Sequence, residues 1–282
     1  MPRRVPRPPH LDRERAEARA GSPGRSCGGR GAAIVCRMAD ECFREPRLAR
    51  IYDALDTDRG DLAPYLGTAE ELGARRILDI GCGTGVFALL LAGRGAEVVG
   101  VDPAAASLDV ARGKPGADRV RWIEGDATTL PALDVDLATM TANVAQAVTG
   151  PSAWQGTLSG AYEALRPGGH LVFETRDPAR RAWREWDREH THRIVDVPGT
   201  GAVESWCRVL DVSGPLVTFR WTYVFAADGE VLTSDSTLRF RERAEVEADL
   251  AGQGYELIEV RDAPDRAGRE FVFVARRPGR VD

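Results

Sequence analysis

No stretch of the 282 residues approaches the roughly 20 consecutive apolar residues that a helix needs to cross a bilayer, so nothing reads as a membrane span. The cysteines (Cys27, Cys36, Cys42, Cys82, Cys207) are odd in number and include no C-x-x-C pair, which argues against a disulfide framework or a zinc site and for a reducing, cytoplasmic setting. There is no internal repeat. Nor is there an excess of positive charge: 43 acids against 38 bases give −5, so the chain has no global attraction to a phosphate backbone. What is present, 43% apolar and 29% charged residues, excludes a disordered or fibrous protein and fits one or two folded domains.

The charge is unevenly spread. Residues 1–37 hold nine arginines against three acids, with five prolines and five glycines, and leave the remainder at −11. Proline and glycine at that density without periodicity bury too little surface to order themselves, so 1–37 reads as a disordered tail and 38–282 as the folded domain, with Met38 a candidate start.

Beyond Met38, helical and strand periods alternate. Leu48, Ile51, Tyr52 and Leu55 share one helical face, and Leu62, Tyr65, Leu66, Ala69 and Leu72 repeat the spacing. The runs at 76–80, 97–101, 120–124, 135–141 and 170–175 read as strands separated by helices over 86–93, 104–112 and 153–165. Arg166-Pro167-Gly168-Gly169 reads as a turn. This is the pattern of a parallel sheet covered on both faces. After Pro178 three segments alternate with a period of two, over 202–212, 216–225 and 231–240, joined by Ser213-Gly214 and Asp228-Gly229. A three-stranded antiparallel insertion is expected there, overhanging the carboxyl edge of the main sheet as a lid, before a closing helix over 242–253 and strands over 255–261 and 271–275.

The chemistry concentrates in the first strand–loop–helix unit. Asp79-Ile80-Gly81-Cys82-Gly83-Thr84-Gly85 follows a strand and opens a helix, where glycines permit a tight turn and close approach of a ligand. Asp102 ends the second strand, where an acid can accept from both ribose hydroxyls of a nucleoside. A pyrophosphate wants a bare helix N-terminus without a neighbouring carboxylate, so Asp79 disfavours a dinucleotide. An ammonium and a sulfonium, both carried by S-adenosylmethionine, suit it. Asp126, in Gly125-Asp126-Ala127, can accept from an adenine amino group.

Together with Leu165-Arg166-Pro167-Gly168-Gly169-His170-Leu171, these motifs resemble the class I S-adenosylmethionine-dependent methyltransferases of small-molecule type. The resemblance implies an α/β Rossmann-like fold with a seven-stranded sheet of order 3-2-1-4-5-7-6, last strand antiparallel. It further implies S-adenosylmethionine as cofactor: Asp79, Gly81 and Gly83 for the methionine part, Asp102 for the ribose, and Asp126 with Ala127 for the adenine. Cys82, Gly85, Pro103 and Gly125 complete that set. Asn143 matches the position facing the methyl group and acceptor, and Tyr52 looks like the tyrosine that closes over the cofactor.

His190, taken with Asn143 and Tyr52 as catalytic, is a candidate base near a strand end, as are His192, Glu174 and Asp177, while Arg176 suits an acceptor carboxylate. His190-Thr191-His192 lacks the further ligands of a metal site. Trp183, Trp186, Trp221 and Tyr223 read as core or as acceptor-pocket walls. Where enzymes acting on exocyclic adenine amines carry Asn/Asp-Pro-Pro-aromatic, this chain has Thr141-Ala142-Asn143-Val144. The expected partner is therefore a small-molecule acceptor of a monomer or homodimer, the alternatives being RNA or protein methylation or a silent cofactor-binding protein.

Overall fold

The computed structural model describes residues 40–57 and 59–279, so the tail over 1–37 and the start at Met38 lie outside the described residues. The chain enters through α1 (Glu41–Arg44), α2 (Pro46–Leu55) and α3 (Ala63–Glu71). Glu45 caps α2 by accepting from the Leu48 amide at 2.7 Å, and Pro46 sits at the first position, where its missing N–H costs nothing.

The main sheet follows from near-continuous apolar strands. β1 (Arg76–Ile80), β2 (Glu97–Asp102), β3 (Val120–Glu124), β4 (Val135–Met140) and β5 (Leu165–Arg176) run parallel, connected through α4 (Val86–Gly93), α5 (Ala105–Arg112), α6 (Val144–Ala147) and α7 (Pro151–Ala164). β5 begins earlier than the sequence suggests: Leu165 pairs with Val135, the chain bulges through 166–169, and pairing resumes at His170 opposite Leu137. The expected turn is thus an excursion within a strand.

Between β5 and the closing elements lie α8 (Arg188–Thr191) and a separate antiparallel sheet of β6 (Arg193–Val197), β7 (Gly201–Ser213), β8 (Leu216–Phe225) and β9 (Val231–Arg239), in that order. The inserted sheet therefore has four strands where three were expected. The missed strand, β6, is a five-residue edge whose Ile194 is 64% exposed, so it lacks the buried face that makes alternation legible. After α9 (Arg243–Gly252), β10 (Glu256–Asp262) and β11 (Glu270–Arg276) complete a seven-stranded sheet ordered β10-β11-β5-β4-β1-β2-β3, with β11 antiparallel to both neighbours. This is the expected order.

Alternation along the strands splits the main core in two. Leu78, Ile80, Ala138 and Phe173 face Trp154, Leu158, Val246 and Leu250 of α7 and α9, while Ile77, Leu137 and Val172 face Tyr65, Leu66, Phe87 and Leu91 of α3 and α4. A third cluster joins α2 to the inserted sheet: Leu48, Ile51 and Leu55 bury against Val197, Val203, Tyr223 and Phe225. Tyr223 is thus core. Among the described residues Cys42, Cys82 and Cys207 are free and buried, and no helix is long and apolar enough to cross a membrane.

Candidate cofactor site

The carboxyl ends of β1, β2 and β3 meet at a cleft. Ile80, Gly81 and Gly83 form one wall; Asp102, Pro103, Gly125 and Asp126 form the next; Phe43, Val144, Ala147, Val148 and Thr157 close it. The glycine loop is fixed from below by the carbonyl of Val101, which accepts from the amides of Gly81 at 2.8 Å and Cys82 at 3.1 Å. Gly81 has φ +71°, and a Cβ there would stand 2.6 Å from Val144. Gly85 caps α4 at φ +81°, and a Cβ there would come within 2.5 Å of the Trp122 ring. Both positions require glycine, the first for room beside the cleft and the second for the aromatic plate behind it.

That plate was not expected from the sequence. Trp122, on β3 opposite Gly100, lies across the back of the loop and donates its indole N–H to the Ala117 carbonyl at 3.0 Å. The cross-strand glycine–tryptophan pair is the signal that could have revealed it, and it becomes visible only once the register is known.

The acids differ in what they touch. Asp102 Oδ2 accepts from the Gly83 amide and Oδ1 from the Ala104 amide, both at 2.8 Å, which holds the carboxylate at the cleft wall with a lone pair to spare on each oxygen. Burial pushes its pKa up. Asp126 uses Oδ1 to cap the turn over 127–129, accepting from the Thr128 amide at 2.8 Å. Asp79 is 1% exposed, lies 3.3 Å from the Thr139 hydroxyl through Oδ1, and has no hydrogen-bond partner at Oδ2. Burial, aided by the neighbouring Asp102, raises it to about 7.

Of the residues singled out in the sequence, Gly81, Gly83, Asp102, Pro103, Gly125 and Asp126 come together on the cleft, and Asp79, Cys82, Gly85, Ala127 and Asn143 stand behind its lining. Asn143 is 4% exposed with φ +60°, a left-handed conformation that asparagine tolerates, and its turn presents Val144 to Gly81. Tyr52 packs its ring on Phe43, centroids 5.2 Å apart, so Phe43 and not Tyr52 forms the wall. His190 is not brought to the cleft. It is exposed and its ring bonds at 2.8 Å to Asp187, the residue that caps its own turn, and His192 pairs with Glu204 of β7 at 2.9 Å. Asp177 caps a turn by accepting from the Ala179 amide.

Two ties hold the entry helix to the loop. The Asp53 carboxylate accepts from the Thr84 hydroxyl at 2.6 Å and from Lys114 Nζ at 2.5 Å, and Lys114, the sole lysine of the chain, also donates to the Thr84 carbonyl at 2.7 Å. Neither partner was flagged by the sequence pattern.

S-adenosylmethionine fits this donor set. The unpartnered oxygen of Asp79 is a buried acceptor in want of a donor such as an ammonium, and the side-chain-free face of Gly81 leaves space that any Cβ would fill. The run of acids from Asp79 through Asp102 to Asp126 suits a cationic nucleoside without phosphate. Asp102→Ala removes the carboxylate that anchors the Gly83 amide of the loop and the Ala104 amide after β2, and is expected to weaken S-adenosylmethionine binding by about 2 to 3 kcal/mol in a calorimetric titration. Unchanged affinity would remove β2 from the site.

Comparison with known proteins agrees with the geometry. Residues 77–169 match the methyltransferase domain family model. The cypemycin N-terminal methyltransferase of a Streptomyces species is 34% identical over 146 residues, 50% of this chain and 60% of that protein. The demethylmenaquinone methyltransferase of Deinococcus radiodurans is 34% identical over 153 residues, 51% and 60%. The chain thus spans 60% of the length of both. Among solved structures, the S-adenosylmethionine-dependent methyltransferase of Clostridium acetobutylicum superposes with TM-score 0.68 at 16% identity, covering 83% of this chain and 99% of that one. The sugar N-methyltransferase KedS8 of a Streptoalloteichus species superposes with TM-score 0.66 at 18% identity, covering 92% and 99%. Residues 77–169 thus match a methyltransferase domain, and the chain shares the fold of S-adenosylmethionine-dependent methyltransferases.

Proposed function

We propose that the protein transfers the methyl group of S-adenosylmethionine to a small-molecule acceptor received between the carboxyl edge of the main sheet and the inserted sheet. The observation that carries this reading is the juxtaposition of the cleft with a second set of buried polar groups, Asn143 and Glu174, at the ends of β4 and β5. Bound in the cleft, S-adenosylmethionine supplies an activated methyl on a cationic sulfur, so the chain need only align a nucleophile and exclude water. Phe43 and Val144 close the cleft, and Trp186, wedged against Phe219 of β8 at 4.7 Å with Arg176 over its ring, brings the inserted sheet down beside the end of β5. The solved sugar N-methyltransferase and the amino pentose methyltransferase CalS10 of Micromonospora echinaspora, 24% identical over 80% of this chain, support a small acceptor.

The test is incubation of the protein with methyl-deuterated S-adenosylmethionine and a metabolite extract, read by mass spectrometry. A low-molecular-weight product carrying the labelled methyl is expected. Saturable cofactor binding with label in no small molecule would overturn the reading in favour of a cofactor-binding protein or a macromolecular acceptor.

A further inference from the structure

Four buried side-chain atoms among the described residues lack hydrogen-bond partners: Asp79 Oδ2, Asn143 Oδ1, Glu174 Oε2 and Thr175 Oγ1. Native proteins rarely leave such groups unpaired, so each asks for an explanation. The first three gather at the carboxyl edge on one face of the sheet, whereas Thr175 points to the other. Asp79, Thr139 and Glu174 share the alternation of Ile77, Leu137 and Val172, and β11 adds Glu270 to that face opposite Arg176.

The two glutamates are not equivalent. Glu270 receives Arg266 at 2.8 Å, Arg176 at 3.6 Å and the Asn143 amide nitrogen at 3.3 Å, and is fully compensated. Glu174, 2% exposed, has one oxygen bound to the Asn143 backbone N–H and no cation in ion-pair contact. The groups facing it are the Tyr65 hydroxyl from α3, Glu270 from β11, Asn143 after β4, and Arg176 on its own strand, already held by Gln146 and Glu270. Burial without a cation holds its carboxyl up at about 7. Even with the phenolic proton directed to it, the carboxylate keeps unused lone pairs. The Asn143 orientation is fixed by chemistry: only its nitrogen can face the Glu270 carboxylate, so Oδ1 is the end left unpaired.

Both orphans at the ends of β4 and β5 are therefore acceptors, one of them an uncompensated carboxylate. A hydroxyl brings a single hydrogen; a protonated amine brings up to three and a positive charge. Resting on the methyl-transfer reading, we propose that Glu174 receives the ammonium of an amine acceptor, with Asn143 Oδ1 as the second contact, and acts as the base that frees it for methylation on nitrogen. The ammonium proton passes to the Glu174 carboxylate, the nitrogen lone pair forms the new N–C bond, and the C–S bond breaks with its electron pair returning to sulfur. S-adenosylhomocysteine leaves, and the product is the N-methylated ammonium.

The experiment uses the full chain, methyl-deuterated S-adenosylmethionine and a metabolite extract, with Glu174→Gln alongside. The labelled product is expected to carry its methyl on nitrogen by fragmentation. Wild-type turnover should rise with pH through about 7, where Glu174 ionises. Glu174→Gln should keep cofactor affinity within about twofold, lose a hundredfold or more in kcat, and lack that limb of the pH profile. A methyl found on oxygen, carbon or sulfur, or a fully active variant, overturns the proposal while leaving methyl transfer intact; no labelled product at all overturns both. Should the variant fail to fold, the labelled atom and the wild-type pH profile decide alone.

Discussion

Gly160→Ala is expected to destabilise the protein by about 3 kcal/mol or more, lowering its melting temperature by roughly 10 °C. Gly160 lies in the middle of α7, where glycine is otherwise unfavourable. A Cβ there would fall 1.9 Å from the Ala127 carbonyl oxygen and 2.6 Å from its carbon. These are backbone atoms of the short turn over 127–129, and no rotamer change relieves them. Either α7 withdraws from the sheet, opening the packing of Trp154, Leu158 and Ala161, or the turn shifts and carries Gly125 and Asp126 with it. The variant should therefore also bind S-adenosylmethionine more weakly at temperatures where it is folded. Gly156, one turn earlier, is the control: its Cβ would meet only the Thr128 methyl at 3.1 Å, so Gly156→Ala should cost little. Thermal melts of the two variants within a couple of degrees of each other would refute the close approach.

Asp79→Asn is expected to act in opposite directions on stability and on binding. The folded carboxyl titrates near 7, against 3.8 for the ordinary aspartate of an unfolded chain. A raised carboxyl contributes stability below the unfolded value and loses it as pH rises through the folded one. At pH 8 the ionised, half-partnered carboxylate therefore costs the empty protein about 4 kcal/mol. An amide of the same shape escapes most of that cost, so the variant should melt higher than wild type at pH 8 and no higher at pH 4. Cofactor affinity should fall a hundredfold or more, because the buried partner of the ammonium is gone. Wild-type affinity should itself tighten as pH rises through about 7, with Asp79 ionising. Equal melting at pH 8, or retained affinity, would take Asp79 out of this role.

The glycine loop, Asp102 and the strand order were legible because each rests on residues close in sequence. Asp79 to Gly85 is a single turn, and the alternation of apolar strands with helices over 76–175 leaves few topologies open. What was hidden depends on pairs brought together by register or by the closing elements. Trp122 gains its place from Gly100, one strand away, and the isolation of Glu174 depends on Arg266 having been taken by Glu270, some ninety residues on. Gly160 reads as a weak helix residue until the turn beneath it is seen. His190 misled in the reverse sense, since a histidine pair looks chemical in a string of letters, while in space His190 is held by Asp187, the cap of its own turn, and His192 by Glu204.

The helix α2 has two loyalties. Its apolar side is sealed into the inserted sheet through Leu48, Ile51 and Leu55, and its Asp53 grips Thr84 and Lys114 on the glycine loop. Ten residues thus act as a tie rod between the inserted sheet and the glycine loop. A displacement of α2 would be transmitted to the inserted sheet and the glycine loop together. A substitution at Asp53 would be felt in both.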